Sequence, residues 1–259
     1  MRDLLVDGNN LTKRVWKGMP ELNTSTGKPV HLIFGVLKIL RAAIERFDCH
    51  RVFVTWDGHP AMRKLIFPEY KIKREQARQQ YTEEEQQAYQ AFKAQVNELR
   101  ELLPQFGVIQ VYEPQTEADD LISVLASNSD KAVILSEDQD FIQLVSSSVQ
   151  LFRPISNKLY TIETLEELTG LATVQQFLQY RIITGDESDE IPGVGGFKKR
   201  AHDLIKEHVS IQNILSKPEL NKGKVMGKFF ASKEVFIRNT LLMDLSLSEH
   251  YLGKAIEFR

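Results

Sequence analysis

The sequence predicts an α/β protein built on a mainly parallel sheet, and three observations carry that reading. Short apolar runs at residues 4–6, 52–55, 108–111 and 132–135 place Val, Ile and Leu at consecutive positions, as strands covered on both faces do. Helical periodicity fills the gaps between the runs, and acidic residues recur directly after them. In parallel sheets of this kind ligands bind beyond the carboxyl ends of the strands, so the position of those acids bears on function.

Taken in order, the first run leads into Asp7 within LLVDGNN. Residues 30–47 carry apolar side chains at 33, 36, 37, 40, 44 and 47, one face of a helix. The second run leads into Asp57 within VFVTWDG. A helix over 82–106 opens with the capping box Thr82-x-x-Glu85, and Thr116 is placed to cap a helix starting at Glu117. The run at 132–135 is followed by SEDQD. Beyond about residue 160 the strands stop, and helical patterns occupy 162–169, 174–184, 198–208 and 224–242, interrupted by IPGVGG and KPELNKGK. The chain therefore divides into an α/β core at 1–160 and a helical extension at 161–259, with no repeat, low-complexity tract or Pro/Gly/Ser linker between them.

A formal net charge of -2 conceals strong segregation. Residues 63–78 hold six Lys or Arg against two Glu, and residues 198–238 hold ten against four acids. A polyanion drawn to basic surfaces and processed at an acidic centre fits that pattern. Cys49 is the sole cysteine, which excludes an intramolecular disulfide and a Cys-based zinc site and suits a reducing compartment. Asp3 and Asp7 interrupt the N-terminus where a signal peptide needs an apolar run, and no segment reaches the length of a membrane span, so a cytoplasmic location is expected.

The acids form five clusters: Asp7; Asp57; Glu117, Asp119 and Asp120; Asp138 and Asp140; Asp186 and Asp189. Each has an ordinary local explanation. Asp-Gly ends strands in turns, and acids in a first helical turn meet the helix dipole favourably. Brought together by one fold, however, they repel. At an effective dielectric near 20, two like charges about 4 Å apart cost roughly 4 kcal/mol, so the set must take up protons or divalent metal. Oxygen donors without His point to Mg²⁺ or Mn²⁺. An EF-hand is excluded because Phe141-Ile142-Gln143-Leu144 lacks the required Gly and closing Glu. A haloacid-dehalogenase-like phosphatase would need a second Asp where Asn9 stands.

Two further segments suit a nucleic-acid ligand. Gly193, Gly195 and Gly196 form a turn offering backbone N–H groups ahead of Lys198, Lys199 and Arg200, a phosphate site at a helix N-terminus or else an ordinary helix connection. Arg63, Lys64, Lys71, Lys73 and Arg74 are interleaved with Phe67 and Tyr70, the cations and rings that single strands bind, or else one solvated charged helix. The histidines show no metal spacing and read as structural or surface residues.

The blocks VDGNN, WDG, TEADD, SEDQD and GDESDEIPGV, in that order, resemble the structure-selective 5′ nuclease family, which includes flap endonucleases, the 5′-nuclease domain of DNA polymerase I and free-standing phage 5′–3′ exonucleases. The resemblance implies a PIN-like fold with a helical arch at about 60–106 and a helix–three-turn–helix element at about 185–208. It implies hydrolysis of DNA at a 5′ flap, nick or 5′-ended duplex, with RNA–DNA as a further substrate, by a monomer using two divalent ions, the alternative being a catalytically inactive DNA-binding member of the same fold. Asp7, Asp57, Glu117 and Asp119 match ligands of the first ion, with Asp120 nearby. Asp138, Asp140, Asp186 and Asp189 match the set around the second. Lys71 and Arg74 match the catalytic arch cations, and Tyr70 a ring that meets the terminal base. The family's hairpin also implies a K⁺, but Lys198 stands here in place of its second Gly. The chain has no polymerase portion and its C-terminus lacks the Gln-led aromatic box of sliding-clamp binding, which gives it the look of a short phage form.

Overall fold

Alternation along the central strands sorts the apolar runs onto two faces, and helices cover both. The computed structural model describes residues 1–248. The end of the helical extension, His250 and the missing Gln-led box lie outside the described residues. Six strands form one sheet: β1 (Arg2–Asp7), β2 (Arg51–Trp56), β3 (Ile109–Tyr112), β4 (Lys131–Leu135), β5 (Val149–Arg153) and β6 (Lys158–Tyr160). Their order is β3-β2-β1-β4-β5-β6, and every pairing is parallel except β5 with β6. The sequence left β5 and β6 unread. β5 follows the polar Ser146-Ser147-Ser148 after a short connection, and β6 is a three-residue edge strand.

Between the strands run α1 (Gly8–Gly18), α2 (His31–Phe47), α3 (Ala61–Ile66), α4 (Ile72–Gln79), α5 (Glu83–Leu102) and α6 (Ala118–Ser127). After the sheet come α7 (Leu165–Thr169), α8 (Val174–Thr184), a ribbon of β7 (Gly185–Asp186) with β8 (Ile191–Pro192), then α9 (Arg200–His208), α10 (Ile211–Leu215), α11 (Gly223–Ala231) and α12 (Lys233–Met243). The capping box at Thr82 and Glu85 starts α5. The expected helix to 106 ends earlier, at Leu102, where Pro104 lacks an N–H and the chain tightens into a 3₁₀ turn. The expected single helix at 224–242 breaks at Ser232, whose hydroxyl bonds back to the Lys228 carbonyl at 2.7 Å.

Leu4, Val6, Val52, Val54, Val133 and Leu135 pack on one face with residues of α1, α2 and α5. Leu5, Phe53, Val111, Ile134 and Leu151 pack on the other with α6, and this cluster continues through Phe177, Phe197, Phe229 and Phe236. The helices after residue 160 thus share the hydrophobic core of the sheet. By contrast, α4 buries no residue, and α5 has its buried residues, Gln95 and Leu99, only in its second half. Thus α4 and the start of α5 stand clear of the core, while the second half of α5 packs on it. Among the described residues no helix is long and apolar enough to cross a membrane.

β1 and β4 lie side by side at the centre, and the connection after β1 leads to β2 on one side while that after β4 leads to β5 on the other. The crevice at such a reversal is where parallel sheets bind ligands, and Asp7 and Ser136 sit on its two walls. Gly8 permits the close seat of α1 there, since a Cβ would stand 2.8 Å from the Thr55 carbonyl and from the Trp56 ring.

Phe197 joins the hairpin after β8 to this core: it is fully buried and its ring centre lies 5.2 Å from that of Phe229. Phe197→Ala should cost about 3–5 kcal/mol in urea unfolding; a loss below about 1 kcal/mol would show that the helical extension does not depend on that anchor.

Candidate active site

Local hydrogen bonds explain why the acids stand at strand ends. Asp7 terminates β1 and caps α1, accepting the Asn10 N–H at 2.9 Å and the Ser136 hydroxyl at 3.1 Å. Asn9 accepts the Asp57 N–H at 3.0 Å, and Asn10 accepts the Glu137 N–H at 3.2 Å. The two asparagines therefore tie the ends of β1, β2 and β4 together. Asp57 accepts the Ala118 N–H at 3.1 Å and so serves as the cap of α6 that Thr116 was expected to provide; Thr116 makes no such bond. Asp138 accepts the Asp140 N–H at 2.9 Å and fixes the turn after β4.

A second layer of contacts comes from cations. Lys71 reaches Glu117 at 2.5 Å and Asp189 at 3.4 Å, linking the two expected groups of acids. Arg74 pairs with Asp189 at 2.6 Å. Arg181, on α8, contacts Asp140 at 2.7 Å and Asp186 at 2.5 Å. Lys71 adopts a left-handed backbone (φ 55°) and its N–H donates to the Asp189 carbonyl at 3.2 Å, so the base of α4 is docked on the β7–β8 turn. Strain of this kind persists where the surroundings over-determine it.

Three expected residues stand elsewhere. Arg63 is buried: its guanidinium contacts Glu117 and Asp120 at 2.7 Å each and the Leu242 carbonyl at 2.9 Å, so it faces inward and not toward a ligand at the surface. Tyr70 is only 2% exposed, and its hydroxyl donates to Glu117 and Asp189, both at 3.1 Å. A ring so enclosed presents no face to a base. Asp120 shares the Arg63 guanidinium with Glu117 and accepts the Ser248 hydroxyl at 2.7 Å, so its oxygens are taken up. Elsewhere, Lys64 pairs with Glu75 at 2.5 Å, Lys73 is exposed, and Lys198 pairs with Glu187, while Lys199 and Arg200 lie exposed beside it. Gly193 packs against Thr184 so closely that a Cβ would meet its backbone at 2.2 Å, and Gly196 has φ 89°; Gly195 is open to solvent.

Crowding registers in the acids' proton affinity. Burial, then Asp57 and Asp138, raise Asp7 to about 7. Burial, then Asp138, raise Asp140 to about 7 against the opposing pull of Arg181. Asp119 is raised well above the carboxylate range by burial and by Asp138 and Asp7. Glu117 goes the other way: burial opposes ionisation, but Lys71 and Arg63 outweigh it. Arg181 likewise keeps Asp186 low despite its burial. Asp7 and Asp119 are thus both pushed up by Asp138, and Asp140 by Asp138, Asp186 and Asp189.

As arranged, no three acids, histidines or cysteines among the described residues converge on one ion position. Lys71 and Arg181 already bridge facing carboxylates there. The donor chemistry nevertheless fits a hard divalent cation: carboxylate oxygens only, several of them costly to ionise without a counter-charge. Beside the acids opens a cleft of about 400 Å³ lined by Asp57, Glu117, Lys71, Arg74, Arg78 and Arg100, with other residues of α1 and α5.

Sequence reasoning missed Arg181, Ser136 and the roles of Asn9 and Asn10. Arg181 had a signal, being one cation in the apolar stretch of α8 between Phe177 and Ile183.

Residues 2–170 match the family model described as 5′-3′ exonuclease, N-terminal resolvase-like domain, and the chain belongs to that family. It is 34% identical over 235 residues to the thermostable DNA polymerase I of Thermus thermophilus, a match covering 86% of this chain but 27% of the polymerase. The chain thus spans about a quarter of the length of such relatives. The 5′-3′ exonuclease of Aquifex aeolicus is 31% identical, over 82% of this chain and 71% of that protein. The bacteriophage T5 flap endonuclease, crystallised as a pseudo-enzyme–product complex with DNA and metal ions, shares the fold with TM-score 0.84 at 24% identity, over 99% of this chain and 95% of that one.

The raised acids make a signed prediction. Asp7 takes its proton near pH 7 when folded but near the ordinary aspartate value of 3.8 when unfolded, so between those values the folded chain holds the extra proton. Its contribution is full below pH 3.8 and lost as pH rises through about 7. In metal-free buffer the melting temperature should fall between pH 5 and pH 8 by on the order of several °C, and less in Asp7→Asn. A wild-type profile rising over that window would contradict the crowding.

Proposed function

We propose that the chain is a metal-dependent nuclease that hydrolyses phosphodiester bonds of DNA near 5′ ends, flaps and nicks. The observation that carries this is the electrostatic crowding of carboxylates that follow three strand ends, bridged by Lys71 to the start of α6 and the β7–β8 turn, with Lys71 and Arg74 lining the adjoining cleft. Membership of the 5′–3′ exonuclease family and the DNA bound by its phage structural neighbour support the choice of substrate.

In this reading Asp7, Asp57, Glu117 and Asp119 would hold one divalent ion, and Asp138, Asp140, Asp186 and Asp189 a second. Mg²⁺ or Mn²⁺, when bound, would offset the carboxylate charge, polarise the scissile phosphate and lower the pKa of an attacking water. The protein's own groups do the rest. Asn10 and Ser136 orient Asp7; Tyr70 orients Glu117 and Asp189. Lys71 and Arg74 present positive charge to the phosphoryl oxygens, where charge develops in the transition state. No Ser, Cys or His nucleophile is needed.

Residues 185–208 serve as the helix–three-turn–helix element, gripping duplex phosphates through backbone N–H groups near Gly195 and Gly196 and through Lys199 and Arg200. Lys198, held by Glu187, supplies beside it the positive charge a K⁺ would bring. Helices α4 and α5 serve as the arch. The chain works as a monomer on DNA, with RNA–DNA hybrids as a further substrate.

Titrating Mg²⁺ into the protein with a 5′-labelled flap substrate tests the reading. Metal-dependent cleavage near the junction is expected; binding without cleavage at any metal concentration contradicts it. Asp138→Asn should abolish cleavage while leaving DNA affinity within a few-fold, and an unchanged rate removes Asp138 from the site. Lys71→Ala should lower kcat by on the order of 10²–10³ with a much smaller change in binding; a loss confined to affinity would reassign Lys71 to holding the substrate backbone.

A further inference from the structure

Helix α12 holds none of the acids of the site, yet its last turns touch most of the segments that hold them. Asn239 on this helix is fully buried, and its amide donates to the Ile182 carbonyl at 2.9 Å and to the Pro192 carbonyl at 3.1 Å. Those carbonyls stand at the two ends of the segment that bears Asp186 and Asp189. Ile182 lies in the last turn of α8, where a helix leaves carbonyls without partners of its own, and its neighbours Arg181 and Ile183 are served there by the Gly185 and Val194 N–H groups. Pro192 ends β8 opposite Gly185. A single side chain therefore closes the ribbon at its base. Asn239 Oδ1 accepts in turn from Arg238, whose guanidinium also donates to the Pro192 carbonyl at 2.7 Å. Both ends of the buried amide are thereby satisfied, as burial demands.

The same turns of α12 reach further into the site. The Arg238 guanidinium lies 5.0 Å from the centre of the Phe67 ring, in the segment leading to Lys71. Leu242 and Met243 pack with Tyr70 and Ile191 in a small apolar cluster separate from the two faces of the sheet. Gln143, in the 3₁₀ turn that begins after Asp138, donates to the Met243 carbonyl at 3.0 Å and accepts the Leu245 N–H at 2.8 Å. The base of α4, the β7–β8 ribbon and the turn after β4 thus meet on one helix end. Packing alone would call for apolar residues here, as Phe236 supplies close by. A buried amide costs desolvation and gives in return a fixed direction.

We propose that Asn239, supported by Arg238, is a positioning residue for the acidic site: its amide fixes the ribbon, and with it Asp186 and Asp189, against Lys71 and the turn bearing Asp138 and Asp140. That these acids serve hydrolysis rests on the nuclease reading above. That Asn239 sets their place rests on its bonds to Ile182 and Pro192.

Asn239→Leu keeps the volume and helix propensity of the side chain and removes those bonds. In the metal-free full chain, hydrogen exchange followed by NMR should show the Lys71 and Val194 amides, which donate to Asp189 and Ile183, losing protection by about tenfold or more while the amides of β1 and β2 keep theirs. In Mg²⁺ the kcat for flap cleavage should fall by on the order of 10²-fold, with KM within a few-fold. Arg238→Met, at a half-buried position, should loosen the same two amides to a smaller extent, and it decides the matter if the leucine variant does not fold. Unchanged protection at Lys71 and Val194, equal loosening of β1 and β2, or an unchanged kcat in a wild type that cleaves overturns the proposal. Loosening confined to Lys71 and Val194, in a chain whose wild type shows no cleavage, would refute the nuclease reading and leave the hold of Asn239 on the ribbon standing.

Discussion

The constraint on which the rest of the structure depends is repulsion among carboxylates gathered at the end of a parallel sheet. Topology forces the gathering: β1, β2 and β4 run side by side, so acids placed after each strand share one crevice. The chain manages the repulsion in three ways. It donates backbone and side-chain hydrogen bonds to Asp7, Asp57 and Asp138. It bridges opposing acids with Lys71 and Arg181. It leaves Asp7, Asp119 and Asp140 so burdened that a proton is held well above the usual carboxylate range. A site in this condition gains from any positive counter-charge placed among its acids.

The same cations organise the pieces around the crevice. Lys71 starts α4 in a left-handed conformation and touches both Glu117, before α6, and Asp189, in the β7–β8 turn. Arg63 ties Glu117 and Asp120 to the end of α12 through the Leu242 carbonyl. The arch base, the start of α6 and the helical extension are therefore held in register by the acids themselves. Removing one charge from this set leaves another buried without a partner, which is costly in a low-dielectric interior.

Much of this was legible in the sequence because it follows from short-range pattern. Consecutive Val, Leu and Ile marked β1, β2 and β4, and an acid placed just after each marked the crevice. The direction of side chains was not legible. Arg63 and Lys71 look alike in the basic stretch, yet one turns into the core and the other into the cleft. Tyr70, one residue before Lys71, is enclosed by the docking of α4 on the β7–β8 turn, a contact more than a hundred residues distant in sequence. Trp16 and Phe92 meet only because α1 and α5 cover the same face of the sheet, which spacing along the chain cannot reveal.

We propose that the acids form two linked cation sites, one on each side of Lys71. Counting bound Mn²⁺ by electron paramagnetic resonance tests it most directly. Two ions per chain are expected for the wild type, with Asp57→Asn and Asp186→Asn each losing a different one, as shown by one remaining ion in each variant and none in the double variant. A single ion in the wild type, or two ions retained in either variant, would contradict the claim.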